Sequence, residues 1–381
     1  MKYNITSAGP SITQSEIDLV NEAVSIGWQD NRNLHIDQFV EEFGAYVNRK
    51  FILPTSHCTG AIHLALLTLE IKPGDEVIVP DITWVASAAP ITYVGAKPVF
   101  VDVEPDSWCI CPKAFERAIT SKTKAVVIVD LFGNMPKMNE LLSIAKKYNL
   151  KVIEDAAEGL GATYNDEPSG AFGDVSLFSF SPTKLVTAGQ GGVFATDNEA
   201  LFEKAKYYAH HGINKKPGEK YFWSHLMGYN YNWTNIQAAL ALSQLRRIEV
   251  LINKKKEIYE QYHHALGSVE ELRLNQPLDR VKPCYWISVA MIDPSLGLEK
   301  EYLCNQFNSL GIDLRPFFYP ISSMPPYQKY LNGKEKHLNK FSYHDSKYGI
   351  CLPSGNNLTE QDIDIVCQQL LVELEAIKSC P

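Results

Sequence analysis

The stretch GAFGDVSLFSFSPTKLVTAGQGG, residues 170–192, is the part of the sequence that says most about the fold. It contains a short apolar run at 175–180 that ends at turn residues and is followed by Lys184. Glycines at 189, 191 and 192 come after the lysine and permit tight turns and close approach of the backbone. The pattern predicts a buried strand that delivers Ser179 and Lys184 to one edge of a sheet.

Further apolar runs precede this stretch, and each is bounded by turn residues: 77–80, 98–103, 125–130 and 151–154. Helix-like stretches separate several of them, at 59–70, 113–119 and 138–148. This alternation favours an α/β fold with a mostly parallel sheet and helices on its faces. Because ligands bind at the carboxyl ends of the strands in such sheets, the polar residues just after each strand are the candidates for function.

Helical patterns mark the start of the chain and the part that follows about residue 230, where the character of the sequence changes. Residues 11–14 have the pattern of a capping box, and Gly27 is a plausible stop for the helix that follows. Apolar residues at helical spacing predict one long helix over 235–264, and another helix is expected to start near Thr359.

The change of character near residue 245 predicts two domains. Residues 1–245 would form the large domain with the parallel sheet, and residues 246–381 would form a smaller α+β domain, onto which the amino-terminal segment can also pack.

Composition narrows the classes of function. The chain has 381 residues and a net charge of -8, which argues against nucleic acid as the main partner. Its eight cysteines lack a convincing zinc spacing, so we expect free thiols and no metal site. The sequence has no apolar run long enough for a membrane span and no signal-peptide pattern at its start, so we expect a cytoplasmic protein with no membrane partner.

The segment KVIEDAAEGLGATY, residues 151–164, delivers Asp155 to the end of a strand. A carboxylate in a sheet crevice needs a donor or a cation, because its burial is otherwise costly. A helix cap, a pyridinium nitrogen and a metal ion are all partners that would satisfy it.

Two further segments suggest a bound cofactor. In SHCTGAIHLAL (56–66), Thr59 and Gly60 open a helix whose free N–H groups can bind a phosphate, although an ordinary helix cap has the same pattern. In PDITWVASAAP (80–90), Trp84 follows a strand, and its indole can stack on a flat ring or pack into the core.

Together these residues supply a phosphate site, a ring platform, a carboxylate and a lysine, in the order that a pyridoxal phosphate (PLP) site uses them. In such a site Lys184 would carry the cofactor as a Schiff base and later act as the base. The carboxylate would keep the pyridine nitrogen protonated, which makes the ring an electron sink.

These motifs resemble the DegT/DnrJ/EryC1/StrS family of sugar aminotransferases, which are fold-type-I PLP enzymes. The resemblance covers essentially the whole chain, and it also rests on GYNYNWTNIQAAL (228–240) and GIDLRPFFYP (311–320). Within the family the chain is most similar to the GDP-perosamine synthase branch. That branch aminates C4 of a nucleotide-linked 4-keto-6-deoxyhexose and takes the amine from L-glutamate.

The resemblance implies a role for each matching residue. Lys184, Asp155 and Glu158 would be catalytic, with Asp155 on the pyridine nitrogen and Glu158 near the ring hydroxyl and the sugar carbon. The cofactor would also be held by Thr59, Gly60 and Ser179 at the phosphate, by Trp84 on the ring, and by Asn230 of a second subunit. Arg315 and Tyr319 would contact the substrate, and the enzyme would be a homodimer with shared active sites.

Other functions stay open at this point. Cys58, Gln190 and Asn232 depart from the family pattern. Because Gln190 and Asn232 fall near expected subunit or substrate contacts, the same chemistry could act at C3 or on a different keto sugar. A PLP-binding regulatory protein without turnover would need a partner or DNA surface, which the acidic charge disfavours. A nicotinamide-dependent dehydrogenase would want G-x-G-x-x-G after the first strand, and GLGATY lacks the third glycine.

Overall fold

The computed structural model describes residues 2–213 and 220–378. Within them the strands are β1 Phe51–Thr55, β2 Glu76–Pro80, β3 Lys97–Val101, β4 Thr123–Val129, β5 Lys151–Asp155, β6 Thr163–Tyr164, β7 Glu167–Pro168, β8 Val175–Ser179, β9 Gly192–Thr196, β10 Leu272–Leu274, β11 Val281–Lys282, β12 Val289–Ile292, β13 Arg315–Pro316 and β14 Gly349–Cys351. The α-helices are α1 Gln14–Ile26, α2 Leu34–Tyr46, α3 Cys58–Thr68, α4 Ala89–Tyr93, α5 Pro112–Ala118, α6 Met138–Lys147, α7 Glu199–Ala209, α8 Asn235–Arg246, α9 Ile248–Leu266, α10 Lys300–Leu310, α11 Glu335–Leu338, α12 Lys340–Tyr343 and α13 Glu360–Lys378. Short 3-10 helices lie at Gln29–Asn31, Val85–Ser87, Leu131–Gly133, Pro294–Leu296, Ile321–Ser323, Pro325–Tyr330 and Asp345–Tyr348.

In the described part of the chain, the largest sheet has seven strands in the order β1-β9-β8-β5-β4-β2-β3. Strands β3, β2, β4, β5 and β8 run parallel, whereas β9 is antiparallel to both β8 and β1. The apolar runs at 77–80, 98–103, 125–130, 151–154 and 175–180 correspond to β2, β3, β4, β5 and β8. The predicted α/β fold with a mostly parallel sheet is therefore confirmed.

The central strands are apolar along their whole length because both faces of the sheet are covered. Every residue of β4 except Lys124 is buried, and α3 packs beside β8 and β9 with eight of its eleven residues buried. Strands β5 and β8 end at Asp155 and Ser179, so both side chains reach the same edge of the sheet.

A smaller antiparallel sheet, in the order β10-β12-β14-β13, forms a second centre of packing. Helices α9, α10 and α13 cover it through residues such as Ile258, Phe307 and Leu370, which belong to one buried cluster. A further small sheet has the order β11-β6-β7. The division into domains 1–245 and 246–381 stays a prediction, although the break between α8 and α9 falls beside its boundary.

The amino-terminal segment, residues 2–13, connects the two centres of packing. Its first residues bond to the end of α10: Tyr3 N donates to the carbonyl of Leu310 at 2.8 Å, and Ile5 pairs with Ile312 in a parallel bridge. Near its other end, the carbonyl of Ser11 accepts hydrogen bonds from α8 and from Arg247. Helix α1 then packs along α8.

Two local predictions at these helices are wrong. The capping box of α1 is formed by Thr13 and Glu16 rather than at 11–14, with Thr13 N donating to Glu16 Oε2 at 2.7 Å; the predicted stop at Gly27 is confirmed. The single helix predicted over 235–264 is two helices that break at Arg247, whose Nε lies 2.6 Å from Glu16 Oε1. A contact distant in sequence thus holds the residue at the break.

Among the described residues, no helix is both long and apolar enough to cross a membrane. No group of three or more His, Cys, Asp and Glu side chains in that part of the chain could hold a metal ion. The seven cysteines described are free, and Cys380 lies outside the described residues.

Candidate active site

A cavity of about 580 Å³ opens where β5 and β8 end, between the large sheet and the residues that follow β13. This volume is within the range of sites for small molecules. Of the residues predicted to be catalytic or to hold the cofactor or the substrate, those that line the cavity are Thr59, Trp84, Asp155, Glu158, Ser179, Lys184, Arg315 and Tyr319. The functional roles of these residues stay predictions.

Lys184 and Glu158 form an ion pair inside the cavity. Lys184 Nζ lies 3.2 Å from Glu158 Oε1, and the two side chains are 12% and 3% exposed. The ammonium also lies 3.9 Å from the ring centroid of Trp286, whose indole N–H donates to the carbonyl of Thr183. The amine is therefore held between a carboxylate and an aromatic face, in a place that little water reaches.

A hydrogen bond from the backbone of Phe132 orients the carboxylate of Glu158 toward Lys184. Glu158 Oε2 accepts a hydrogen bond from the N–H of Phe132 at 3.0 Å, and Phe132 has the left-handed φ of 56°, which is uncommon for a residue with a side chain. Burial raises the pKa of Glu158, while the charge of Lys184 and this hydrogen bond act in the opposite direction. The pair is thus held by a backbone hydrogen bond as well as by charge.

Asp155 is a second buried carboxylate at the floor of the cavity. It is 4% exposed and accepts hydrogen bonds from Ser87 Oγ at 2.7 Å and from the N–H of Ala157 at 3.2 Å. Burial raises its pKa, because these donors and the charge of Lys184 offset only part of the desolvation. A cationic group of a ligand at this position would stabilise the ionised form.

The amino end of α3 faces the cavity. His57 precedes the helix without a side-chain cap, and His57, Cys58 and Thr59 all line the cavity. The first N–H groups of a helix have no partner within it, so they can bind an anion. Strand β9 supports this end closely: a Cβ on Gly192 would lie 2.4 Å from the backbone nitrogen of Cys58, so only glycine fits there.

A bare aromatic face forms one side of the cavity. Trp84 is 60% exposed although it lies on the cavity wall, and its ring centroid is 6.3 Å from that of Phe318. A large apolar ring left uncovered in a concave site is suited to stack on a flat ligand.

These features fit pyridoxal phosphate. The open helix end matches its phosphate, the uncovered indole matches its ring, the buried Asp155 matches a protonated ring nitrogen, and the buried amine of Lys184 matches its aldehyde.

Two of the predicted cofactor residues do not line the cavity. Gly60 is buried under Tyr231, whose ring would lie 3.1 Å from an added Cβ, and its N–H donates to the carbonyl of His57. Asn230 is exposed, pairs with His210 in an antiparallel bridge and accepts a hydrogen bond from Asn232 at 2.9 Å. The phosphate roles predicted for Gly60 and Asn230 stay predictions.

The residues after β13 supply the wall opposite the sheet. Arg315 and Tyr319 both line the cavity and are open to solvent, since the side chain of Arg315 is 41% exposed and Tyr319 is 42% exposed. Sequence analysis missed Trp286, Phe317 and Phe318 as parts of the site. The aromatic pair FF directly after Pro316, at the end of a strand, was the signal that could have identified the last two.

Comparisons with known proteins agree with this geometry. A model described as the DegT/DnrJ/EryC1/StrS aminotransferase family matches residues 10–371. GDP-perosamine synthase of Escherichia coli O157:H7 is 35% identical over 371 residues, which are 97% of this chain and 98% of that protein. EpsN of Bacillus subtilis (strain 168), named as a candidate pyridoxal phosphate-dependent aminotransferase, is 33% identical over 97% of this chain and 96% of its own. The PLP form of Spr1654, a candidate sugar aminotransferase of Streptococcus pneumoniae, has a TM-score of 0.89 at 25% identity and covers 98% of this chain and 100% of its own.

Proposed function

Because the chain belongs to the DegT/DnrJ/EryC1/StrS aminotransferase family, we propose that it transfers the amino group of L-glutamate to C4 of a GDP-linked 4-keto-6-deoxyhexose. That it is a PLP-dependent sugar aminotransferase follows from the family; the nucleotide, the sugar, the carbon and the amino donor are the proposal. In the reaction the keto group of the sugar becomes an amino group, and glutamate becomes 2-oxoglutarate.

One observation carries this proposal: a buried lysine and two buried carboxylates meet in a cavity of the size of a ligand. Lys184 Nζ lies 3.2 Å from Glu158 Oε1, and its charge also acts on Asp155. Support for the particular sugar comes from the relative named GDP-perosamine synthase, which matches 97% of the chain.

Asp155 would hold the nitrogen of the cofactor ring in its protonated form. When bound, pyridoxal phosphate supplies an aldehyde that carries the amino group and a ring that draws electrons from the adjacent carbon. The hydrogen bonds from Ser87 and from the N–H of Ala157 fix the direction of the Asp155 carboxylate. Thr59, Gly60 and Ser179 would hold the phosphate at the end of α3, and Trp84 would cover one face of the ring.

Lys184 would move the proton that each half of the reaction requires. Its Nζ would take the proton from the carbon that bears the amino group of glutamate and pass it to the cofactor, and in the second half it would take a proton back from the cofactor and place it on the sugar carbon. Glu158 stabilises the ammonium form of Lys184 while it holds that proton, and Trp286 keeps the amine in the cavity. The surrounding apolar wall excludes water, which would otherwise compete for the proton.

The substrate and a second subunit would complete the site. Arg315 and Tyr319 are proposed to contact the nucleotide sugar from the wall after β13. Asn230 is proposed to reach the phosphate of the cofactor in a second copy of the chain, so that a homodimer shares its sites. We further propose that the enzyme works in the cytoplasm and that its two domains divide near residue 245.

The test is an assay of the purified protein with PLP and glutamate against GDP- and dTDP-linked 4-keto sugars and against 3-keto sugars. We expect amination of the GDP-linked 4-keto sugar and none with Lys184→Ala, because no other amine described in the cavity can move the proton. Product from a 3-keto sugar alone would contradict the position of amination. Turnover by the Lys184→Ala protein would contradict the mechanism.

A further inference from the structure

Lys300 is a buried lysine that contacts the part of the cavity wall formed by residues 315–319, from the side away from the cavity. It is the first residue of α10 and is 1% exposed. Its Nζ donates to the carbonyl of Phe317 at 2.9 Å and to that of Phe318 at 3.3 Å. The same ammonium lies 3.8 Å from the ring centroid of Tyr319.

The ammonium of Lys300 has no carboxylate directly against it among the described residues. Glu301, in the first turn of α10, and Glu299, which precedes the helix, act on it from a distance. Burial lowers the pKa of Lys300 to about 8, and the charges of these two glutamates offset only part of that effect. A buried cation of this kind costs stability, and an apolar side chain of similar size would cost less.

The three residues that the ammonium contacts belong to the cavity wall. Phe317, Phe318 and Tyr319 all line the cavity. The carbonyls of the two phenylalanines and the ring of Tyr319 also bind the ammonium of Lys300 behind the wall. The wall is also fixed just beyond Tyr319, since the N–H and the hydroxyl of Ser322 both donate to the buried carboxylate of Asp81, at 2.8 and 2.7 Å.

We propose that Lys300 is a positioning residue for the nucleotide sugar: it fixes the wall 315–319 through two backbone carbonyls and thereby orients Arg315 and Tyr319 toward the substrate. Rigid support of this kind keeps binding groups in their productive geometry, and small displacements of such groups have large effects on rate. The inference deepens the proposed function and rests on it. The rival explanation is that Lys300 serves folding alone.

The experiment compares Lys300→Met and Lys300→Gln with Lys255→Met as a matched control. Lys255 is equally enclosed: it is 5% exposed, donates to the carbonyl of Ser354, and burial lowers its pKa to about 8, but it does not contact the wall. Each holoenzyme is assayed for the KM and kcat of the GDP-linked 4-keto sugar at saturating glutamate. The half-reaction with glutamate alone is followed by cofactor absorbance, and thermal unfolding is recorded for all variants.

We expect Lys300→Met to raise the KM for the sugar about tenfold or more, with the glutamate half-reaction within about threefold of wild type. Lys300→Gln keeps one N–H donor for a carbonyl and should lie between Met and Lys. Lys255→Met should lower the unfolding temperature and leave the KM unchanged.

An unchanged KM in folded Lys300→Met would overturn the inference, and so would an equal rise in KM in Lys255→Met. If Lys300→Met does not fold, Lys300→Gln decides by the same criterion, and failure of both to fold assigns Lys300 to folding alone. A wild-type protein that turns over glutamate but not the sugar contradicts the proposed substrate instead, and the inference falls with it.

Discussion

Glu158→Gln is expected to weaken the folded, cofactor-free protein because it leaves the charge of Lys184 without its partner. The two charges are 3.2 Å apart, which corresponds to an attraction of about 5 kcal/mol at an effective dielectric constant of about 20. Removal of one partner from a buried pair costs about 3 to 5 kcal/mol. The shape of the side chain is kept, and the amide oxygen can still accept the hydrogen bond from Phe132.

The assay is thermal unfolding of the apoprotein at pH 7, with Glu158→Gln, Lys184→Met and the double variant measured together. Each single variant should unfold several degrees below wild type, because about 1 kcal/mol shifts the midpoint by about 2 to 4 °C in a domain of this size. The double variant should lose much less than the sum, since it leaves no unpaired charge. As a control, Glu116→Gln breaks a shorter but exposed pair with Lys147, 2.7 Å apart, and should change little. Strictly additive losses in the double variant would refute the reasoning, as would a Glu116→Gln effect as large as that of Glu158→Gln.

Two further predictions concern the support of the cavity. Gly192→Ala should weaken PLP binding by about tenfold or more, because the new Cβ would collide with the backbone nitrogen of Cys58 at the start of α3. An absorbance titration measures the affinity, and a wild-type value in this variant would show that the helix end does not hold the phosphate. Burial raises the pKa of Asp81 from 3.8 to about 6, so the folded state binds more protons than the unfolded state between these values. The free energy of unfolding should therefore fall by about 2 kcal/mol as the pH rises from 4 to 6, as this group's own contribution, and Asp81→Asn should remove that part of the slope. Identical pH profiles of the wild type and Asp81→Asn would contradict this assignment.

Much of the fold could be predicted because each parallel strand can be recognised from its own sequence. Strands buried on both faces read as short apolar runs, and the runs at β2, β4 and β5 stand between clear turn residues. Strand β1 was missed, since Phe51–Thr55 contains Pro54, which breaks the usual pattern. The sheet tolerates that proline because β1 lies at its edge.

The break between α8 and α9 could not be read from the sequence for a different reason. The apolar spacing continues through Arg247, so periodicity alone predicts one helix. What holds the backbone of Arg247 out of the helix is a set of contacts with Ser11 and Glu16, more than 200 residues away. Local pattern carries no information on such a contact.

The residues of the candidate site likewise fall into those that the sequence could predict and those that it could not. Asp155 could be picked out because it directly follows an apolar run, and Lys184 because it comes three turn residues after the next one. The two strands that carry these runs, β5 and β8, are neighbours in the sheet. Lys300 and Asp81 were not found, because a single charged residue looks the same in the sequence whether it is buried or exposed. Trp286 was not found either, because its contact with Lys184 depends on how the second sheet docks.

The course of the amino-terminal segment restricts how the two centres of packing can rotate relative to each other. Residues 2–5 are fastened to the end of α10, and Ser11 is fastened to the junction of α8 and α9 at Arg247. Only a few residues lie between these attachments, so the segment can lengthen only slightly. A large rotation that widened the entrance to the cavity would therefore require one of these attachments to break.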